Sequence, residues 1–274
     1  MPFDWSTLRD PAPKTLSGAR ALAHRAAQWP TRAARANLPA APDDSHTALA
    51  WDDRLGALVS PPLPGGATVG LRVASLELQF NSGKFSLAGR TEAEADAWLD
   101  EQLARAGLKA ASGAALPYEV PAVDFARAAG GEAARLAPQL RALAGWFAAA
   151  AELLEAQRAK WRRYTPGPSP VRCWPHHFDI AVLVALEEGH AETARSIGVG
   201  VSPGDGYYDE PYAYLSPYPR PDTANLPALP KGGRWHTQDF FAAVATGSDI
   251  VAAADPRAAL ADIIDSAFKI WGPA

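Results

Sequence analysis

The 274-residue chain has very little cysteine and methionine, one of each. A lone thiol, Cys173, excludes an intrachain disulfide. It also excludes a zinc site built on several thiolates. Cys173 reads as buried rather than reactive. There is no basic excess either: 26 Lys and Arg face 30 Asp and Glu, for a formal net charge of −4. A duplex-binding surface normally shows a basic surplus, so nucleic acid and anionic membranes are not expected partners. Every apolar run is broken well short of a membrane span. The first residues, Met1-Pro2-Phe3-Asp4-Trp5, lack a basic stretch followed by an apolar run and do not read as a signal peptide. A cytoplasmic, reducing setting fits. Gly-x-Ser-x-Gly, Walker-loop, dinucleotide and His-Glu-x-x-His motifs are missing too, which removes several enzyme classes and names no cofactor.

What is present is ordinary globular composition, with 48% hydrophobic and 20% charged residues, and nine Trp. Those indoles need burial or a ligand to stack on. Residues 1–15 are Pro-rich and read as irregular. From Leu16 to Asn37, Leu22, Ala26, Trp29 and Ala33 recur at helical spacing, and Pro30 is expected to kink or split the helix. Thr47–Trp51 and Leu55–Ser60 read as a hairpin around Asp52-Asp53-Arg54. Thr68–Phe80 alternates like one half-wet antiparallel strand, and Lys84–Ala88 returns beside it. Thr91-Glu92-Ala93-Glu94 is a capping box opening a helix with Ala95, Trp98, Leu99 and Leu103 on one face, ended by Gly107. Residues 132–164 read as the longest helix, about 45–50 Å if continuous, stopped by Thr165-Pro166-Gly167-Pro168. Arg172–Leu186, Ser196–Ser202 and Pro211–Ser216 read as strands, and Pro256–Ile270 as a closing helix.

The expectation is an α+β protein: mostly antiparallel sheet packed against several helices, one of them long. An N-terminal helical arm occupies 1–44 and a single α+β domain 45–274. Both 45–130 and 165–274 run strands then helix, joined by helix 132–164, which leaves open two related halves.

Chemistry-bearing residues concentrate in two stretches. In Cys173-Trp174-Pro175-His176-His177-Phe178-Asp179, strand alternation would put His177 and Asp179 on one face and His176 on the other. A His–carboxylate pair could orient a general base or supply two metal ligands. Equally, it could hold a structural core together. The second stretch, Ser202 to Tyr212, carries Asp205, Asp209 and Glu210 among Gly and Pro. Asp205 and Glu210 are candidate ligands for a hard cation, although the spacing is not that of an EF-hand and also suits a plain hairpin loop. Tyr208, Tyr212 and Tyr214, with Trp174, could wall a pocket for a small planar or apolar ligand, or simply pack one sheet face. Arg234-Trp235-His236 reads as a Gly-flanked loop, either lid or surface.

Leu116-Pro117-Tyr118-Glu119-Val120-Pro121, Ser169-Pro170-Val171, Phe178-Asp179-Ile180-Ala181, Gly200-Val201-Ser202-Pro203-Gly204 and Tyr212-Ala213-Tyr214-Leu215-Ser216-Pro217, with the early hairpin and the helix from Thr91, carry a resemblance. Over about residues 45 to 270 the chain resembles the bacterial family known as domain of unknown function 5996. The resemblance implies no activity. It marks Phe178, Asp179, Pro203, Gly204 and Tyr214 as pattern positions. His176 and His177 depart from that pattern, so Asp179 is the better candidate for any shared chemistry.

Two functional readings are open. In one, a small-molecule ligand is bound, or turned over, in a pocket between Trp174–Asp179 and the 202–214 loop. In the other, the Trp and Tyr residues form a protein-interaction or homodimer surface.

Overall fold

The computed structural model describes residues 2–123, 133–189 and 193–273. Glu132, the expected first residue of the long helix, and 124–130 of the expected first half lie outside the described residues. The chain clusters into two compact units and passes between them more than once. One comprises Leu16–Gly145 and Arg172–Phe178; the other comprises Met1–Thr15, Trp146–Val171 and Asp179–Ala274. Both sheets are antiparallel, and the protein is α+β.

The first unit joins helices α1 (Ser17–Ala26) and α2 (Gln28–Asn37) to the meander β1 (Ala50–Asp52), β2 (Ala57–Val59), β3 (Val69–Arg72), β4 (Glu77–Phe80) and β5 (Gly83–Ser86), with α3 (Glu92–Arg105) after it. The helix break falls at Ala27, not at Pro30. Pro30 sits in the first turn of α2, where a missing N–H leaves no helical bond unmade. In the β1–β2 turn the Asp52 carboxylate accepts from the backbone of Arg54 and Leu55.

Thr68–Phe80, expected as one strand, is the hairpin β3–β4, with Val69 opposite Phe80 and Arg72 opposite Glu77. Its reversal is a 3₁₀ turn, Val73–Ser75, closed by Leu76 at φ 48°. Alternation survived the turn because both arms bury one face, and the turn itself buries Val73 and Leu76 completely. The capping box at Thr91 forms as expected. Trp29, 1% exposed, donates its indole N–H to Asp96 on α3 at 2.8 Å, and Arg32 binds the same carboxylate at 2.5 Å. These contacts stitch α2 to α3 around a core that includes Leu22, Leu58, Leu71 and Leu99.

Helix α4 is a single turn, Ala133–Arg135, and α5 runs Ala137–Trp161, about 37 Å long. Its residues to Gly145 belong to the first unit and those from Trp146 to the second.

The second unit begins its sheet with β6 (Gly167–Pro168); β7 (Arg172–Trp174) belongs to the first unit, where Cys173 bridges Leu49. The remaining strands are β8 (Asp179–Ala185), β9 (Ser196–Ser202), β10 (Tyr212–Tyr218), β11 (Arg234–His236) and β12 (Ala242–Thr246), in spatial order β11-β12-β10-β9-β8-β6. Arg234-Trp235-His236, expected as a loop, is therefore an edge strand paired to β12. Helices α6 (Gly247–Ala252) and α7 (Pro256–Trp271) complete the unit, and α7 packs Leu260, Ile263 and Ile264 over Ala213, Leu215, Ala243 and Ala245. Residues 2–15 are strapped to this unit. The Phe3 amide donates to Glu152, Arg9 reaches the carbonyls of Val251 and Ala253, and Pro13 lies against Gly247. Among the described residues no helix is long and apolar enough to cross a membrane.

Candidate functional site

The expected site residues divide between the units. Trp174, His176 and His177 belong to the first; Asp179, Asp205, Tyr208, Glu210, Tyr212 and Tyr214 belong to the second.

Arg172–Leu186 is not one strand. Pro175–Phe178 is a turn: the Phe178 N–H donates to the Trp174 carbonyl at 2.6 Å, and Phe178 itself adopts φ 60°. Strand alternation therefore does not extend back from Asp179, and His177 and Asp179 do not share a strand face. His177 is exposed. His176 is half-buried between the rings of Tyr118 and Trp174, and burial pulls its pKa down.

What anchors this turn is a residue that composition did not flag. His24 of α1 stacks on Phe178 with centroids 4.9 Å apart and planes 3° from parallel. Its Nε2 lies 2.9 Å from the Pro175 carbonyl. A carbonyl only accepts, so Nε2 carries the proton. Burial lowers the His24 pKa to about 4.

In the second unit, the face of the sheet opposite α7 carries a phenol–carboxylate row. Tyr214 on β10 lies opposite Gly200 on β9, which lies opposite Ala181 on β8. A Cβ on Gly200 would meet the Tyr214 hydroxyl at 2.6 Å and Ala181 at 2.8 Å. The glycine lets the ring cross β9, and its hydroxyl donates to Asp179. Tyr212, 5% exposed, donates to Asp205 at 2.5 Å. Burial first, then the neighbouring carboxylate, pushes both phenols well above their ordinary range. Phenols held this way stay protonated donors. Tyr208 instead pairs with His236 Nδ1 at 2.9 Å.

The two candidate cation ligands have other work. Asp205 also accepts from the backbone of Tyr207 and Tyr208 in its own turn. Glu210 accepts from the N–H and hydroxyl of Ser248 at the start of α6, both at 2.6 Å. Among the described residues, no group of three or more His, Cys, Asp or Glu is placed to hold a metal ion.

A cavity of about 500 Å³ opens in the first unit. One wall is a face of α1 and α2: Arg25, Gln28, Trp29 and Arg32, spaced as one helical stripe. Glu92, at the start of α3, adds a carboxylate. The opposite wall is the segment after α3, through Leu116, Tyr118, Glu119 and Val120. The segment is held by Asp100, which accepts from the backbone of Ala111 and Ser112.

Gln28 ties the cavity to the turn. Its amide donates to the His24 and Pro175 carbonyls, both at 3.0 Å, and accepts from the Tyr118 hydroxyl at 2.9 Å. Burial pushes the Tyr118 phenol upward. Arg25 grips Glu92 through two parallel bonds of 2.7 and 2.8 Å, which raise the guanidinium pKa further. Sequence reasoning missed this wall because it tracked apolar periodicity. The usable signal was a stripe of Arg, Gln and Arg recurring in an otherwise Ala-rich helix.

No protein-family model, curated protein or solved structure matches the chain.

Proposed function

We propose that the protein binds a small polar ligand in the cavity between α1–α2 and the 112–120 segment. The supporting observation is the volume, about 500 Å³, combined with charged, amide and phenol groups on facing walls. That size is typical of small-molecule sites. The cavity borders the Trp174–Phe178 turn through Gln28 and Tyr118, so the turn acts as its support. A cytoplasmic location accords with the single, buried Cys173.

The test pairs a ligand screen with a blocked cavity. Ala115, an exposed residue on the cavity wall, is replaced by Trp. A metabolite library should contain compounds that raise the melting temperature of the natural chain and leave Ala115→Trp unmoved. A library with no such compound, or equal shifts in both proteins, would overturn the reading.

A further inference from the structure

The charges around the cavity narrow the ligand class, on the premise that the cavity is a ligand site. Two guanidiniums, Arg25 and Arg32, are each already paired with a carboxylate, Glu92 and Asp96. Glu119 adds a third carboxylate. The guanidiniums are thus outnumbered, and a phosphate-like dianion would meet as much repulsion as attraction. A simple cation meets Arg25 and Arg32 in the same way.

The Arg25–Glu92 pair presents both signs side by side at the cavity wall. Its bidentate bonds use Nε and one hydrogen of Nη2, leaving the Nη1 donors, and each Glu92 oxygen keeps a further acceptor site. Side chains of the pair are 33% and 34% exposed, so both remain reachable. Only a ligand that also carries both signs gains at each end. Leu116, Val120 and the adjoining alanines supply an apolar surface beyond the pair. The Tyr118 oxygen, having donated to Gln28, can still accept.

We infer that the cavity takes a zwitterion of about dipeptide size, its carboxylate on Arg25, its ammonium on Glu92 and Glu119, and its side chains against Leu116 and Val120. The size comes from the volume, since a free small amino acid would leave most of 500 Å³ to water.

The test is titration calorimetry of the full chain with alanyl-leucine, its N-acetyl form, its C-terminal amide, inorganic phosphate and the fluorescent apolar probe ANS. The zwitterion should bind, and blocking either end should weaken binding at least tenfold. Arg25→Gln should lose the preference for the free carboxylate while keeping that for the free ammonium, and Glu92→Gln the reverse. That split separates recognition from misfolding, which would abolish both. Binding of phosphate, ANS or a blocked peptide as tightly as the zwitterion, sensitive to Ala115→Trp, would overturn the zwitterion and leave the cavity as a ligand site. No binding by any probe would overturn the zwitterion, and the library screen then decides the cavity itself.

Discussion

His24 offers the sharpest test of the physical picture. Folding holds its imidazole neutral, with a pKa lowered from 6.5 to about 4, chiefly by burial. Arg20, His176 and His177 add repulsion of the same sign, and the Pro175 carbonyl opposes it. The unfolded chain therefore binds more protons than the folded one in the window between those values. The stabilising difference is complete above about pH 6.5 and is lost as pH falls toward 4. That gap is worth about 3 kcal/mol, most of which is gone by about pH 4.5. The ring is only 8% exposed, so solvent screening removes little of this. Replacing His24 with Phe keeps the stack on Phe178 and removes the titration. The Pro175 carbonyl still receives the Gln28 amide, so the variant should lose about 1 kcal/mol at neutral pH. Urea unfolding at about pH 7 and pH 4.5 then compares two slopes. The natural chain should lose about 2–3 kcal/mol more than His24→Phe across that interval. Equal losses would refute the account of a buried neutral imidazole.

Two further substitutions test the second unit. Gly200→Ala drives a methyl into the Tyr214 phenol and Ala181. Overpacking plus the lost carboxylate-bound hydroxyl should cost about 3–5 kcal/mol, and a urea midpoint unchanged from the natural chain would contradict the packing. Glu210→Ala strips the acceptor from Ser248 and should cost about 1–3 kcal/mol, with faster amide exchange at Ser248; unaltered exchange there would argue that the carboxylate does not hold the start of α6.

The elements most legible in the sequence were those fixed by local chemistry. Thr91 and Glu94 announce α3 because a capping box needs only neighbours. Ser196–Ser202 and the helix from Pro256 were likewise readable from pattern. Misreadings came where a tertiary contact overrode local preference. Leu76 accepts a left-handed conformation because burial of its side chain offsets the strain, so a hairpin read as one strand. Phe178 does the same beneath His24, turning an expected strand face into a corner. Arg234–His236 is a strand because β12 pairs with it, a partner no local rule supplies. The Asp179–Tyr214 contact depends on Gly200: neighbours distant in sequence meet across a residue defined by what it lacks. The cavity is the least legible feature, because Arg25 and Tyr118 come together only when α1 and α2 pack beside the 112–120 segment.

The strap made by Phe3, Arg9 and Pro13 has a consequence for synthesis on the ribosome. Its anchors lie at Glu152, Gly247, Val251 and Ala253, so this segment must wait for those far later residues to emerge before it can settle. Until then Trp5 and Leu8, both buried in the finished protein, stay uncovered, and the nascent chain carries an adhesive stretch that a holding chaperone would have reason to meet.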